Sequence, residues 1–107
     1  MITDEIVRAM TDRIAHKFYP DKIIVFGSWA RGELTEHSDL DFLVIMPYSG
    51  SKRDAQVAVR RALKGFGVPK DVIVATEQEI QQKQYLNGYI YKTALREGRV
   101  LYERAAQ

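Results

Sequence analysis

Residues 23–46 read IIVFGSWARGELTEHSDLDFLVIM, and this stretch decides the architecture. Ile23-Ile24-Val25-Phe26 is a continuous apolar run that stops at Gly27-Ser28. A run of this kind, bounded by turn residues, predicts a strand buried on both faces. Trp29 to Ser38 is a polar stretch and predicts a turn of helix followed by loop. Asp39 to Met46 is a second apolar strand, headed by two acids and closed by Pro47. Strand side chains alternate, so Asp39 and Asp41 share one face while Leu40 and Phe42 point the other way, into the core.

Upstream, Ile2, Ile6, Val7, Met10, Ile14 and Phe18 recur at helical spacing, which predicts a helix over 2–18, broken at Pro20-Asp21. Downstream, Ser51 is a candidate N-cap, with Asp54 as its partner. The helix they open, over about 52–65, is expected to bury Ala55, Ala58, Ala62, Leu63 and Val59, and to end at Gly65 or Gly67. Asp71-Val72-Ile73-Val74 predicts a third strand. Thr76 with Glu79 forms a capping-box pattern ahead of a short helix. A last helix, from about Gly88 to Arg96, stops at Gly98 before a terminal strand at Val100-Leu101-Tyr102. The expected fold class is α/β, a small mixed sheet of three to four strands flanked by helices.

Composition narrows the function. With 107 residues the chain suits one domain, 1–107, with no second lobe. No cysteine is present, which excludes a disulfide framework, a thiolate zinc site and cysteine catalysis. The N-terminus MITDEIVRAM carries acids where a signal peptide carries positive charge, and no apolar run reaches the ~20 residues that span a bilayer. A net charge of +2 with both signs interspersed makes no strong case for direct nucleic-acid binding. A small soluble cytoplasmic domain with no membrane partner is the expectation.

Asp39 and Asp41 carry most of the chemical information. Two carboxylates ~4 Å apart repel by roughly 4 kcal/mol at an effective dielectric near 20. At the mouth of so apolar a strand they need compensation, which a shared Mg²⁺ or Mn²⁺ would supply through hard oxygen ligands. A polar turn ahead of a strand is the plain alternative. Gly27-Ser28 adds a tight turn whose free amides, with the Ser28 hydroxyl, could cradle a phosphate, although a simple turn would look the same. Asp71, heading the third strand, could lie beside the pair and orient or deprotonate an attacking hydroxyl, or merely cap a turn after Pro69-Lys70. Together these are the parts of phosphoryl or nucleotidyl transfer.

Phe26-Gly27-Ser28, ten intervening residues and Asp39-Leu40-Asp41 resemble the Gly-Ser…Asp-x-Asp signature of the DNA polymerase beta-like nucleotidyltransferase superfamily. The fuller run GSWARGELTEHSDLDFLVI is similar to its smallest members, the MNT (minimal nucleotidyltransferase) domains, as is the ending TALREGRVLYE. The resemblance implies a polymerase beta palm-like core and a two-metal Mg²⁺ mechanism. Gly27 and Ser28 would hold the triphosphate of ATP or another NTP. Asp39 and Asp41 would coordinate Mg²⁺, and Asp71, in the place of the family's third acid, would activate the acceptor hydroxyl. It also implies a setting: many MNT proteins are antitoxins paired with an all-helical HEPN-type RNA-cleaving toxin, and some attach AMP to a tyrosine of that partner. The rival expectation is a non-catalytic antitoxin that neutralises its toxin by occlusion. A homo-oligomer is left open.

Other residues read less sharply. Arg31 is placed to contact a phosphate or pair with Asp39, and a solvated arginine is nearly as good a reading. His37, beside Ser38, could touch a nucleotide but is expected as an exposed loop histidine, and His16 as surface. Trp29 either packs or covers the cleft. Arg53, Arg60 and Lys64, with Lys52 and Arg61 close by, form a basic helix face that could meet RNA or an acidic partner, or simply be solvated. Tyr85, Tyr89 and Tyr91 suit either core or a partner interface. The Asp-x-Asp pair precedes its apolar strand, the wrong order for haloacid dehalogenase-like phosphatases. No Gly-Lys-Ser/Thr follows a glycine loop, so a P-loop is excluded.

Overall fold

A computed structural model describes residues 2–86 and 90–105. In chain order the elements are α1 (Asp4–Phe18), β1 (Lys22–Phe26), β2 (Leu40–Ile45), α2 (Lys52–Ala62), β3 (Lys70–Ala75), α3 (Glu77–Lys83), α4 (Ile90–Glu97) and β4 (Arg99–Glu103). The four strands form one mixed sheet in the order β3-β2-β1-β4. β1 runs antiparallel to both β2 and β4, and β2 runs parallel to β3. The parallel pair needs a crossover, and α2 provides it.

Helices cover both faces, which is why β1 and β2 are continuously apolar. On one face Val7, Met10 and Ile14 of α1 and Val59 of α2, with Leu63 just beyond it, pack against Ile23, Val25, Leu40, Phe42, Val44, Val72 and Val74. On the other, Ile80 of α3 and Tyr91 and Ala94 of α4 cover Ile24, Phe26, Leu43, Ile45 and Ala75. The split follows strand parity, as the alternation rule requires. Trp29 packs in the first layer, 8% exposed, with its Nε1 donating to Asp4 Oδ1 at 3.2 Å, so it belongs to the core.

The expectation for α2 changes. α2 ends at Ala62, short of residue 65, and Ala58 lies on its exposed side because Val59, Ala62 and Leu63 already fill the inward arc. The predicted turn of helix after Gly27 is present as one turn: Arg31 N donates to Gly27 O at 3.2 Å, and the chain leaves the helical path at Gly32, which has φ of 72°. The caps hold as expected. Ser51 accepts from Asp54 N, and Thr76 with Glu79 forms a reciprocal capping box. The expected start of the last helix at Gly88, and Tyr89, lie outside the described residues.

Topology sets up the site. β2 and β3 are parallel, so Asp41 and Asp71, near their starts, come to one edge of the sheet as direct register partners. β1 is antiparallel to β2, so its far end, Phe26, pairs with Asp41 at the same edge.

The opposite end of β2 and β3 is tied by a charged network. Lys52 Nζ lies 2.7 Å from Glu79 Oε2 and donates to Tyr91 OH at 2.8 Å, while Tyr48 OH donates to Glu79 Oε1 at 3.1 Å. Burial would raise the Glu79 pKa, but the Lys52 hydrogen bond and charge, the Thr76 amide and Tyr48 together hold it at about 2. Its folded pKa lies below its unfolded value, so this stabilisation is complete above the ordinary glutamate range and lost as pH falls towards about 2. Glu79→Gln is expected to lower stability by about 1–2 kcal/mol at neutral pH, a Tm loss of several degrees. Melting curves should show the gap to wild type closing between pH about 4.5 and about 2.

Candidate active site

The shared edge of β1, β2 and β3 opens into a cleft of about 400 Å³. Gly27, Ser28, Arg31, Asp39, Asp41 and Asp71 all line it, with Phe26, His37, Ile90 and Thr93 completing the wall. A larger hollow, about 660 Å³, lies between the start of α1, the 34–38 loop and the 66–69 loop. Its wall is largely Ile2, Ile6, Leu34, Phe66, Val68 and Pro69, with Glu36 as the one carboxylate. Converging charge, not size, marks the smaller cleft.

Asp41 is the half-buried member of the acidic group, while Asp39 and Asp71 are exposed. Facing residues on neighbouring strands are about 4.8 Å apart, which brings the Asp41 and Asp71 carboxylates within strong mutual influence. The effect is visible in Asp41, whose pKa is raised by burial, then by the negative charge of Asp71, then by that of Asp39, with Arg31 opposing. Three anions thus share one field, only partly compensated by protein. Arg60 of α2 approaches Asp71 Oδ1 from outside the sheet at 3.8 Å, an exposed pair of small energetic weight.

Gly27 has two reasons to be glycine. Its φ of 80° is left-handed, and a Cβ there would strike the Asp41 carboxylate. The turn it opens presents the amides of Ser28, Trp29 and Ala30, none of which makes a backbone hydrogen bond among the described residues. Amides of a first helical turn left this way are suited to an anion.

Arg31 pairs with neither Asp39 nor solvent alone. Its Nε meets Glu33 Oε1 and its Nη1 meets Glu97 Oε2, both at 3.2 Å. Glu97 was not legible in the sequence, since 66 residues separate it from Arg31. The faint signal is Gly98 after it, where a Cβ would collide with Ala94 O and Ile24, so the end of α4 is seated directly on β1. Ile90 and Thr93 reach the cleft wall through the same seating. His37 is an exposed loop residue, as expected, and also lines the cleft; His16 is at the surface. Tyr91 is core and Tyr85 is exposed.

Among the described residues no group of three or more acids or histidines is gathered closely enough to hold a metal ion by itself. No described helix is long and apolar enough to cross a membrane.

Residues 7–101 match the nucleotidyltransferase domain family, and the chain belongs to that family. A protein of Methanocaldococcus jannaschii, named as a proposed protein adenylyltransferase, is 37% identical over 84 residues, 76% of this chain and 77% of that protein. A second from the same organism, with the same designation, is 29% identical over 55 residues, 51% of this chain and 54% of its own length. Among solved structures, a proposed nucleotidyltransferase from Sulfolobus solfataricus superimposes with a TM-score of 0.64 at 21% identity, covering 94% of this chain and 79% of that one. A toxin–antitoxin structure with AMP-PNP gives 0.54 at 16% identity, covering 91% and 73%. Both structural likenesses speak to the fold. The mixed α/β sheet is therefore a nucleotidyltransferase fold, of the MNT type that the Gly-Ser…Asp-x-Asp run resembles.

Proposed function

We propose that this domain transfers a nucleoside monophosphate, AMP foremost, from an NTP to a hydroxyl on a partner protein, and serves as the antitoxin of a HEPN/MNT pair. The observation that carries the reading is the register of Asp41 against Asp71 at the strand end where Gly27 opens its amide turn. The relative named as a protein adenylyltransferase supports AMP and a protein acceptor. The fold shared with a toxin–antitoxin structure holding AMP-PNP supports the setting.

The donor set fits Mg²⁺. Asp39, Asp41 and Asp71 offer hard oxygens on one side of the sheet, where burial and then the Asp71 and Asp39 charges raise the Asp41 pKa against the opposing Arg31. Mg²⁺ is commonly held by one or two carboxylates together with substrate phosphates, so a metal-holding group of three protein ligands is not required. Asp39 and Asp41 would hold it, with Asp71 contributing. When bound, Mg²⁺ would neutralise phosphate charge and polarise the phosphoryl oxygens.

The remaining work falls to the chain's own groups. The Ser28, Trp29 and Ala30 amides, the Ser28 hydroxyl and Arg31 grip the triphosphate and fix the α-phosphorus in the cleft. Asp71 accepts the proton of the acceptor hydroxyl as its oxygen attacks in line. The new oxygen–phosphorus bond forms as the bond to the bridging oxygen breaks, and pyrophosphate leaves.

The test incubates the protein with α-labelled ATP, Mg²⁺ and the product of the adjacent gene. Label should pass to that partner, and the transfer should vanish in Asp39→Asn/Asp41→Asn. Tight partner binding without transfer, unchanged by the double substitution, would instead assign occlusion.

A further inference from the structure

The outward face of α2 is strongly basic, and it leads to the catalytic edge of the sheet. Arg53, Val57 and Arg60 succeed one another at steps of four and three residues, so they stack along one side of the helix, with Arg61 flanking and Lys64 in the turn just past its end. All five are exposed, and the inward arc is filled by Val59, Ala62 and Leu63. Between Ser51 and Lys64 there are five cations and one acid, in a chain whose net charge is +2, so the remainder of the molecule is net acidic. The asymmetry is local and one-sided. Among the described residues Arg53, Arg61 and Lys64 have no acidic partner, and Arg60 alone is paired, with Asp71. That pair makes the basic stripe continuous with the cleft.

We infer that this face of α2 docks an acidic protein surface and presents the acceptor hydroxyl to Asp71, an inference that rests on the nucleotidyl-transfer reading above. A carboxylate-rich segment lying along α2 would meet unpaired guanidinium groups over about 12 Å of helix, and the Lys64 ammonium in the turn beyond it. Its neighbouring hydroxyl would then enter over the β3 edge, where Arg60 meets Asp71. A protein fits better than a nucleic acid. The stripe has an aliphatic residue, Val57, at its centre and no aromatic platform on which a base could stack. Complementary charge of this kind raises the encounter rate and selects among hydroxyl donors.

The test uses the full chain and a fluorescein-labelled random copolymer of glutamate and tyrosine, read by anisotropy. Wild type should bind it at least about tenfold more tightly than Arg53→Gln/Arg61→Gln/Lys64→Gln, and binding should weaken as salt rises from ~50 to ~500 mM. The charge-preserving Arg53→Lys/Arg61→Lys variant should behave as wild type, and the triple variant should keep its Tm and its affinity for a fluorescent ATP analogue. Equal binding by wild type and triple variant, or equal binding of a lysine–tyrosine copolymer, overturns the inference. So does a single-stranded RNA oligomer that binds more tightly through the same three residues. Copolymer held through α2 but never labelled from ATP would leave the docking face standing and remove the transferase reading. Labelling that ignores the three substitutions would do the reverse.

Discussion

Asp41→Asn should abolish nucleotidyl transfer and make the protein harder to unfold. The loss of transfer is expected to reach about a thousandfold, the scale seen when a group that stabilises charge in the transition state is removed. The gain in stability follows from the field at the strand heads. In the folded chain burial, Asp71 and Asp39 raise the Asp41 pKa above its ordinary value. Protons are therefore bound more readily by the folded state than by the unfolded one. Any stability linked to this proton is complete below the unfolded pKa and is lost as pH rises through the folded one. At neutral pH the fold carries an anion that its surroundings disfavour. Asparagine keeps the shape and drops the charge, so a gain of about 1 kcal/mol is expected, or several degrees in Tm. The gain should shrink as the pH is taken below the carboxylate range. Thermal melts at neutral and acid pH, beside the label-transfer assay, decide it. An inactive variant that melts below wild type at neutral pH would mean that the acids are structurally compensated and that the strain assigned to this site is absent.

The same trade explains what could be read from the chain and what could not. Alternation along β2 is a local rule, so the opposite facing of Asp41 and Phe42 is legible from four consecutive letters, and the structure agrees: Phe42 is fully buried among α1 and α2 side chains while Asp41 lines the cleft. The caps at Ser51 and Thr76 are equally local. The neighbourhood of Asp71 is not. It depends on β3 joining β2 in parallel and in one particular register, and a single-residue slip would turn Asp71 to the opposite face. The family resemblance carried that expectation where spacing alone left it open. Arg31 shows the limit from the other side. Its nearest acid in sequence, Glu33, is a reasonable partner, but Glu97 reaches it only because Gly98 seats α4 on β1, a packing event without a local sequence rule. Ala58 fails for a related reason. A helix face is predicted only to within about one residue's arc, and Val59 fills the place that Ala58 was expected to share.

Gly27→Ala should lower transfer about a hundredfold while lowering stability by only about 1–2 kcal/mol, and the two losses have separate causes. The stability loss is conformational, because an alanine held at φ of 80° is disfavoured by about that amount wherever it occurs. The activity loss comes from the Cβ, which would occupy the space of the Asp41 carboxylate. That carboxylate is the end of a short side chain and can swing aside, so the collision adds little to unfolding energetics. It moves the one acid that faces both Asp71 and the amide turn, and a displacement of about 1 Å at a reacting centre is enough for a hundredfold effect. Gly50 supplies the control. Its φ of 78° imposes the same backbone strain, but a Cβ there meets nothing within 4 Å and the turn lies away from the cleft. Gly50→Ala should therefore match Gly27→Ala in Tm and keep near wild-type transfer. In an Asp41→Asn background Gly27→Ala should remove no further activity, since the group it displaces has already lost its charge. Equal activity in Gly27→Ala and Gly50→Ala would show that the Gly27–Asp41 contact has no part in the chemistry.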